Sequence, residues 1–147
     1  SILSGTDGRL FQEIRQKRAL SYTQGTFYVP ALISGYFIIY ASVNKDNVDL
    51  TKRLLFKEIE KLKHKGITEY ELTTAKNKLL SKHWLSLQRN SDLSTMMALD
   101  ELYGLGYGNF KLYNGNLDHI TVSDVSSIVN KYFDLKSCAI SVTLPAE

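Results

Sequence analysis

Tyr22-Thr23-Gln24-Gly25-Thr26-Phe27-Tyr28-Val29, then Pro30-Ala31-Leu32-Ile33-Ser34-Gly35, then Tyr36-Phe37-Ile38-Ile39-Tyr40-Ala41-Ser42-Val43: the architecture turns on these residues. Both outer runs are rich in aromatic and β-branched residues, and the Pro30-to-Gly35 segment between them reads as a loop. They are expected to be antiparallel neighbours. Tyr28 to Val43 is also the most apolar part of the chain, but Pro30, Ser34 and Gly35 interrupt it. It falls short of the ~18 to 20 unbroken apolar residues that a membrane span needs.

Helical signals flank this pair on both sides. Upstream, Thr6 or Asp7 can cap a helix whose apolar positions are Leu10, Phe11 and Ile14, with Arg15, Lys17 and Arg18 toward its C-terminal end. That helix is expected to stop near Ala19. Downstream, Asn44 to Asn47 is a polar turn, and Val48, Leu55, Ile59 and Leu62 trace one face of a helix closing at Gly66. Thr68-Glu69-Tyr70-Glu71 is a capping box that opens a long helix through Leu72, Ala75, Leu79, Leu80, Trp84 and Leu87. After a break at Arg89-Asn90-Ser91 comes a helix carrying Leu93, Met96, Met97 and Leu102, ended by a connector containing Gly104, Gly106 and Gly108. Thr121 caps a last helix with Asp124 at the favoured third position and Val125, Ile128, Val129 and Tyr132 as its stripe. Cys138 to Leu144 reads as a final strand, stopped by Pro145. The order predicts an α+β fold, an antiparallel sheet backed by helices on one face, in one domain spanning 1–147.

Composition narrows the function. With 147 residues, 44% hydrophobic and 22% charged, the chain is sized for one hydrophobic core and lacks the bias of a disordered segment. The net charge of +3 is spread along helical stretches such as Lys57, Lys61, Lys63 and Lys65, which argues against nucleic acid as a partner. Cys138 is the single cysteine, so no disulfide framework exists within the chain. Ser1-Ile2-Leu3-Ser4-Gly5 has neither the basic start nor the apolar middle of a secretory signal. His64, His83 and His119 stand in no H-x-x-E-H or H-E-x-x-H motif, so no local zinc site is expected, and His83 beside Trp84 reads as a partly buried or surface histidine. Gly5-x-x-Gly8 lacks the Lys-Ser/Thr ending of a phosphate loop, and no serine lies in a G-x-S-x-G elbow.

Gly8-Arg9-Leu10-Phe11-Gln12-Glu13-Ile14-Arg15-Gln16-Lys17-Arg18-Ala19-Leu20-Ser21-Tyr22 says more. It closely resembles the signature of the second, non-zinc domain of the pitrilysin/insulinase (inverted-zincin) metallopeptidases, which are related to the mitochondrial processing peptidase subunits. R-L-F, E-I-R, a basic residue, L, one residue and Y follow that pattern, with Arg15 and Tyr22 seven residues apart. Ile67-Thr68-Glu69-Tyr70-Glu71-Leu72 with Ala75-Lys76, Gly104-Leu105-Gly106 with Phe110 and Tyr113, and Ile120-Thr121-Val122-Ser123-Asp124-Val125 continue the likeness across almost the whole chain.

The resemblance implies a metallopeptidase-like α/β roll that helps bind peptide and is inactive alone, since H-x-x-E-H belongs to the family's first domain. It implies zinc held by a catalytic partner domain, in cis or trans, and a peptide or small unfolded protein as substrate. By residue match, Arg15 would hydrogen-bond the substrate backbone and Tyr22 would donate to the carbonyl oxygen as negative charge develops. In relatives a strand and a longer helix precede the first helix seen here, which implies an N-terminally truncated domain. Without the resemblance, Arg15 reads as a solvated cation matching a helix dipole and Tyr22 as half-buried strand packing. Two other readings stay open: a catalytically inactive structural or peptide-presenting subunit, and a self-associating module whose open sheet edge makes a homodimer.

Overall fold

The computed structural model describes residues 1–29 and 35–145. Strands β1 (Ser21–Val29) and β2 (Tyr36–Val43) pair antiparallel, with Thr26 opposite Ile39 and Phe27 opposite Ile38. The expected hairpin is present, although Pro30 to Ser34 of its loop lie outside the described residues. Alternation along the strands puts Thr26, Ile39 and Phe37 on one face and Phe27, Ile38, Tyr36 and Tyr40 on the other. The first face meets the helices: Ile39 packs on the core, Phe37 lies 5.1 Å from the Phe133 ring, and the Thr26 hydroxyl hydrogen-bonds that of Ser4. On the second face Phe27 and Tyr40 lean together across the strands, 6.0 Å between centroids, and stay about half exposed.

The helix before the sheet is a wide turn, Phe11–Gln16, with π-type hydrogen bonding such as Lys17 N–H to the Gln12 carbonyl at 3.0 Å. Neither Thr6 nor Asp7 caps it, contrary to expectation. The N–H groups of Arg9 and Leu10 are instead taken up by the carbonyls of Ile2 and Leu3, both at 3.2 Å, so no side-chain acceptor is required there. Asp7 pairs with Lys78. Gly8 makes this approach possible, because a Cβ there would meet the Ser4 backbone at 2.6 Å. The turn stops at Ala19, which is left-handed at φ 51.

Among the described residues five α-helices follow the sheet: α1 (Val48–Lys65), α2 (Glu69–Ser86), α3 (Asn90–Leu102), α4 (Tyr113–Asp118) and α5 (Val122–Tyr132). Gly66 closes α1 at φ 66, and both capping boxes form completely, Thr68 with Glu71 and Thr121 with Asp124. The core lies where these elements converge: Leu3, Leu10, Ile14, Leu62, Ile67, Leu72 and Val129, with Leu10 and Ile14 fully buried. Arg9 ties the wide turn to the start of α2, donating Nε and Nη2 to the Glu71 carboxylate at 2.6 and 2.8 Å and Nη2 to the Gly66 carbonyl at 2.8 Å.

Several expectations need correction. His83 takes the inward position on α2, and the neighbouring Trp84 is 55% exposed. On α5 Val129 is buried, but Ile128 and Tyr132 are 55% and 64% exposed, and Ile128 lines an open apolar groove of about 440 Å³ with Leu3, Phe37, Val125 and Phe133. The glycine-rich connector contains an additional short helix, α4, whose Leu117 is buried. Residues 138–144 form no strand. A strand has no hydrogen bonds of its own, and β1 and β2 pair only with each other among the described residues, so Ile140, Val142 and Leu144 remain about half exposed.

Candidate functional site

Arg15 sits near the end of the wide turn and Tyr22 at the start of β1, so no single helical or strand period relates them. The fold brings them together. Arg15 Nη1 donates to the Tyr22 backbone carbonyl at 3.2 Å, and the guanidinium carbon lies 5.0 Å from the Tyr22 ring centroid. It also lies 5.4 Å from the centroid of Phe11.

Two irregularities produce this meeting. A π-type turn accommodates an extra residue relative to an α-helix, a feature frequent at functional sites. In the sheet, Ser21 and Tyr22 together face Val43, a bulge that breaks the alternation of side chains. Tyr22 is consequently turned away from the packed face and is 87% exposed, so the half-buried packing role does not describe it. Arg15 is exposed as well. One guanidinium N–H is engaged by the Tyr22 carbonyl, which leaves the others and the phenolic O–H for a further acceptor.

The histidines do not come together. His83 is buried, with Nε2 3.1 Å from the Phe110 carbonyl and its ring stacked on Tyr113 at 4.1 Å, so it fastens α2 to the segment before α4. His64 is exposed beside Glu60 at 3.1 Å. Among the described residues no three of His, Cys, Asp and Glu converge on a point where a metal could be held. The donors of the described residues therefore do not fit a zinc ion. Cys138 is exposed, with its thiol directed to the Leu135 carbonyl at 3.3 Å.

Residues 1–79 match the peptidase M16 inactive domain. The chain belongs to that family. An uncharacterised zinc protease of Rickettsia felis is 31% identical over 135 residues, covering 88% of this M16 inactive domain and 31% of the Rickettsia protein. The solved peptidase M16 inactive domain from Pseudomonas fluorescens aligns with a TM-score of 0.80 at 25% identity, over 90% of this chain and 32% of that one. The inactive peptidase domain of a proposed zinc protease from Bordetella parapertussis shares the fold at 20% identity, with a TM-score of 0.85 over 99% of this chain and 80% of that one. The chain thus spans about a third of the Rickettsia and Pseudomonas chains.

The M16-like signature divides by burial. Arg9, Leu10, Glu13 and Ile14 point inward and hold the wide turn to the core, whereas Phe11, Arg15 and Tyr22 form the displayed cluster. The sequence marks Phe11 as an apolar helical position and as part of R-L-F, with no role in the site. Its spacing of four from Arg15 is the local feature that relates the two.

Proposed function

We propose that this domain is the non-zinc half of a zinc metalloendopeptidase, closing a peptide-binding chamber and supplying substrate-binding donors. The observation that carries this reading is the pairing of Arg15 with Tyr22, two exposed donors set side by side by a bulge and a π-type turn. In this reading the free N–H groups of Arg15 bind carbonyl oxygens of an extended peptide backbone. The Tyr22 O–H donates to the carbonyl oxygen on which negative charge develops. Zinc and the H-x-x-E-H motif belong to a catalytic partner domain, in cis or trans, and the substrate is a peptide or small unfolded protein. Removing one pre-placed donor to a developing oxyanion typically costs ~10² to 10³ in rate, or about 3 to 4 kcal/mol.

The test is hydrolysis of a fluorogenic peptide by the H-x-x-E-H half alone, with this domain, and with its Arg15→Ala and Tyr22→Phe variants. Activity that needs the unmodified domain and falls about 10²-fold or more with either variant is the expected result. Full activity of both variants, with folding intact, would overturn the assignment. No activity in any mixture of associated, zinc-loaded halves would point instead to a structural subunit.

A further inference from the structure

We propose that Phe11 is a positioning residue for Arg15, holding the guanidinium by its plane so that its N–H edge stays free for substrate. This rests on the reading of Arg15 as a substrate-binding residue. Of the basic side chains on and around the wide turn, Arg9 pairs with Glu71, and Lys17 and Arg18 pair with Glu13. Among the described residues no carboxylate pairs with Arg15. A carboxylate would orient a guanidinium by occupying the donors that a peptide carbonyl needs, whereas an aromatic ring orients it through its face and leaves those donors unused.

The rings of Phe11 and Tyr22 lie 5.4 and 5.0 Å from the guanidinium carbon, and only one N–H is engaged, by the Tyr22 carbonyl at 3.2 Å. Phe11 is partly exposed and stands outside the central core cluster, although the adjacent Leu10 and the nearby Ile14 are its most buried members. Its ring is therefore available to Arg15 rather than consumed by the interior. The requirement is for a planar cation over an aromatic surface, which lysine does not meet.

A double-mutant cycle in the full-length protease, read as kcat/KM on a fluorogenic peptide, tests this. Phe11→Leu and Phe11→Met, which keep bulk without a ring, are each expected to lower kcat/KM about 2- to 5-fold. Phe11→Tyr should retain it, and Arg15→Lys should lose nearly as much as Arg15→Ala. In an Arg15→Ala background the Phe11 substitutions should have no further effect. An equal loss with and without Arg15, or a loss in Phe11→Tyr matching that in Phe11→Leu, would overturn the proposal while leaving Arg15 in place. An Arg15→Ala enzyme with unchanged kinetics would instead overturn the reading of Arg15 itself.

Discussion

Replacing Glu13 with glutamine keeps the shape of a buried side chain and removes its charge. The carboxylate accepts from Lys17 Nζ at 2.8 Å and from Arg18 Nη1 at 2.6 Å, and Arg18 also donates to the Glu13 backbone carbonyl at 2.8 Å. The hydrogen bond from Lys17, aided by Arg18 and opposed by burial, holds the carboxyl at about 2 rather than 4.5. A carboxyl lowered in the folded state stabilises the fold above its unfolded value, and that contribution is lost as pH falls through the folded value. The window therefore runs from 4.5 down to about 2.

At about 1.4 kcal/mol per pH unit the full gap corresponds to about 3 kcal/mol. The Lys17 side chain is 62% exposed, so water screens its share. About 2 kcal/mol remains as the expected loss in Glu13→Gln at neutral pH. Urea unfolding of both proteins at a series of pH values measures it. The difference should be constant from about pH 7 to pH 5 and shrink to about a quarter of that by pH 2.5, where the native carboxyl begins to take up its proton. A neutral-pH difference below about 0.5 kcal/mol, the range of an ordinary surface substitution, would refute the reasoning, as would a difference that does not change with acid.

Two other substitutions test the packing and the backbone of the same segment. Leu10→Ala removes a fully buried member of the core and should cost about 3 to 4 kcal/mol in urea unfolding; a loss under about 1 kcal/mol would mean that the site collapses around the smaller residue. Ala19→Gly should raise the melting temperature, since glycine relieves about 1 kcal/mol of strain at φ 51 and returns only part of it through its freer unfolded chain; a lowered midpoint would contradict this.

The elements legible in the sequence are those written in neighbouring residues. The hairpin strands follow their β-branched and aromatic runs, and α2 and α5 begin at Thr68 and Thr121, where a hydroxyl and an acidic residue three positions later satisfy the same backbone groups. What the sequence leaves open is decided by distant partners. The inward place of His83 on α2 rests on the Phe110 carbonyl and the Tyr113 ring, partners that its neighbours in sequence do not reveal. Alternation at residues 138–144 is β-like, yet it makes a strand only where another backbone lies alongside. Gly115 and two asparagines conceal α4, whose burial of Leu117 outweighs their weak helical preference.

The displayed cluster shows the same division within fifteen residues. Periodicity assigns Leu10 and Ile14 to the core correctly, but the bulge that turns Tyr22 outward and the extra residue in the wide turn have no local sequence sign. Charge supplies what periodicity cannot. Three of the four basic residues from Arg9 to Arg18 are neutralised by two glutamates whose carboxyls lie at about 2. Those pairs stabilise the segment and engage their own donors. Arg15, held by aromatic rings and one carbonyl, keeps a positive charge and free N–H groups facing outward. The contrast separates the side chains that hold the turn from the one whose donors stay open.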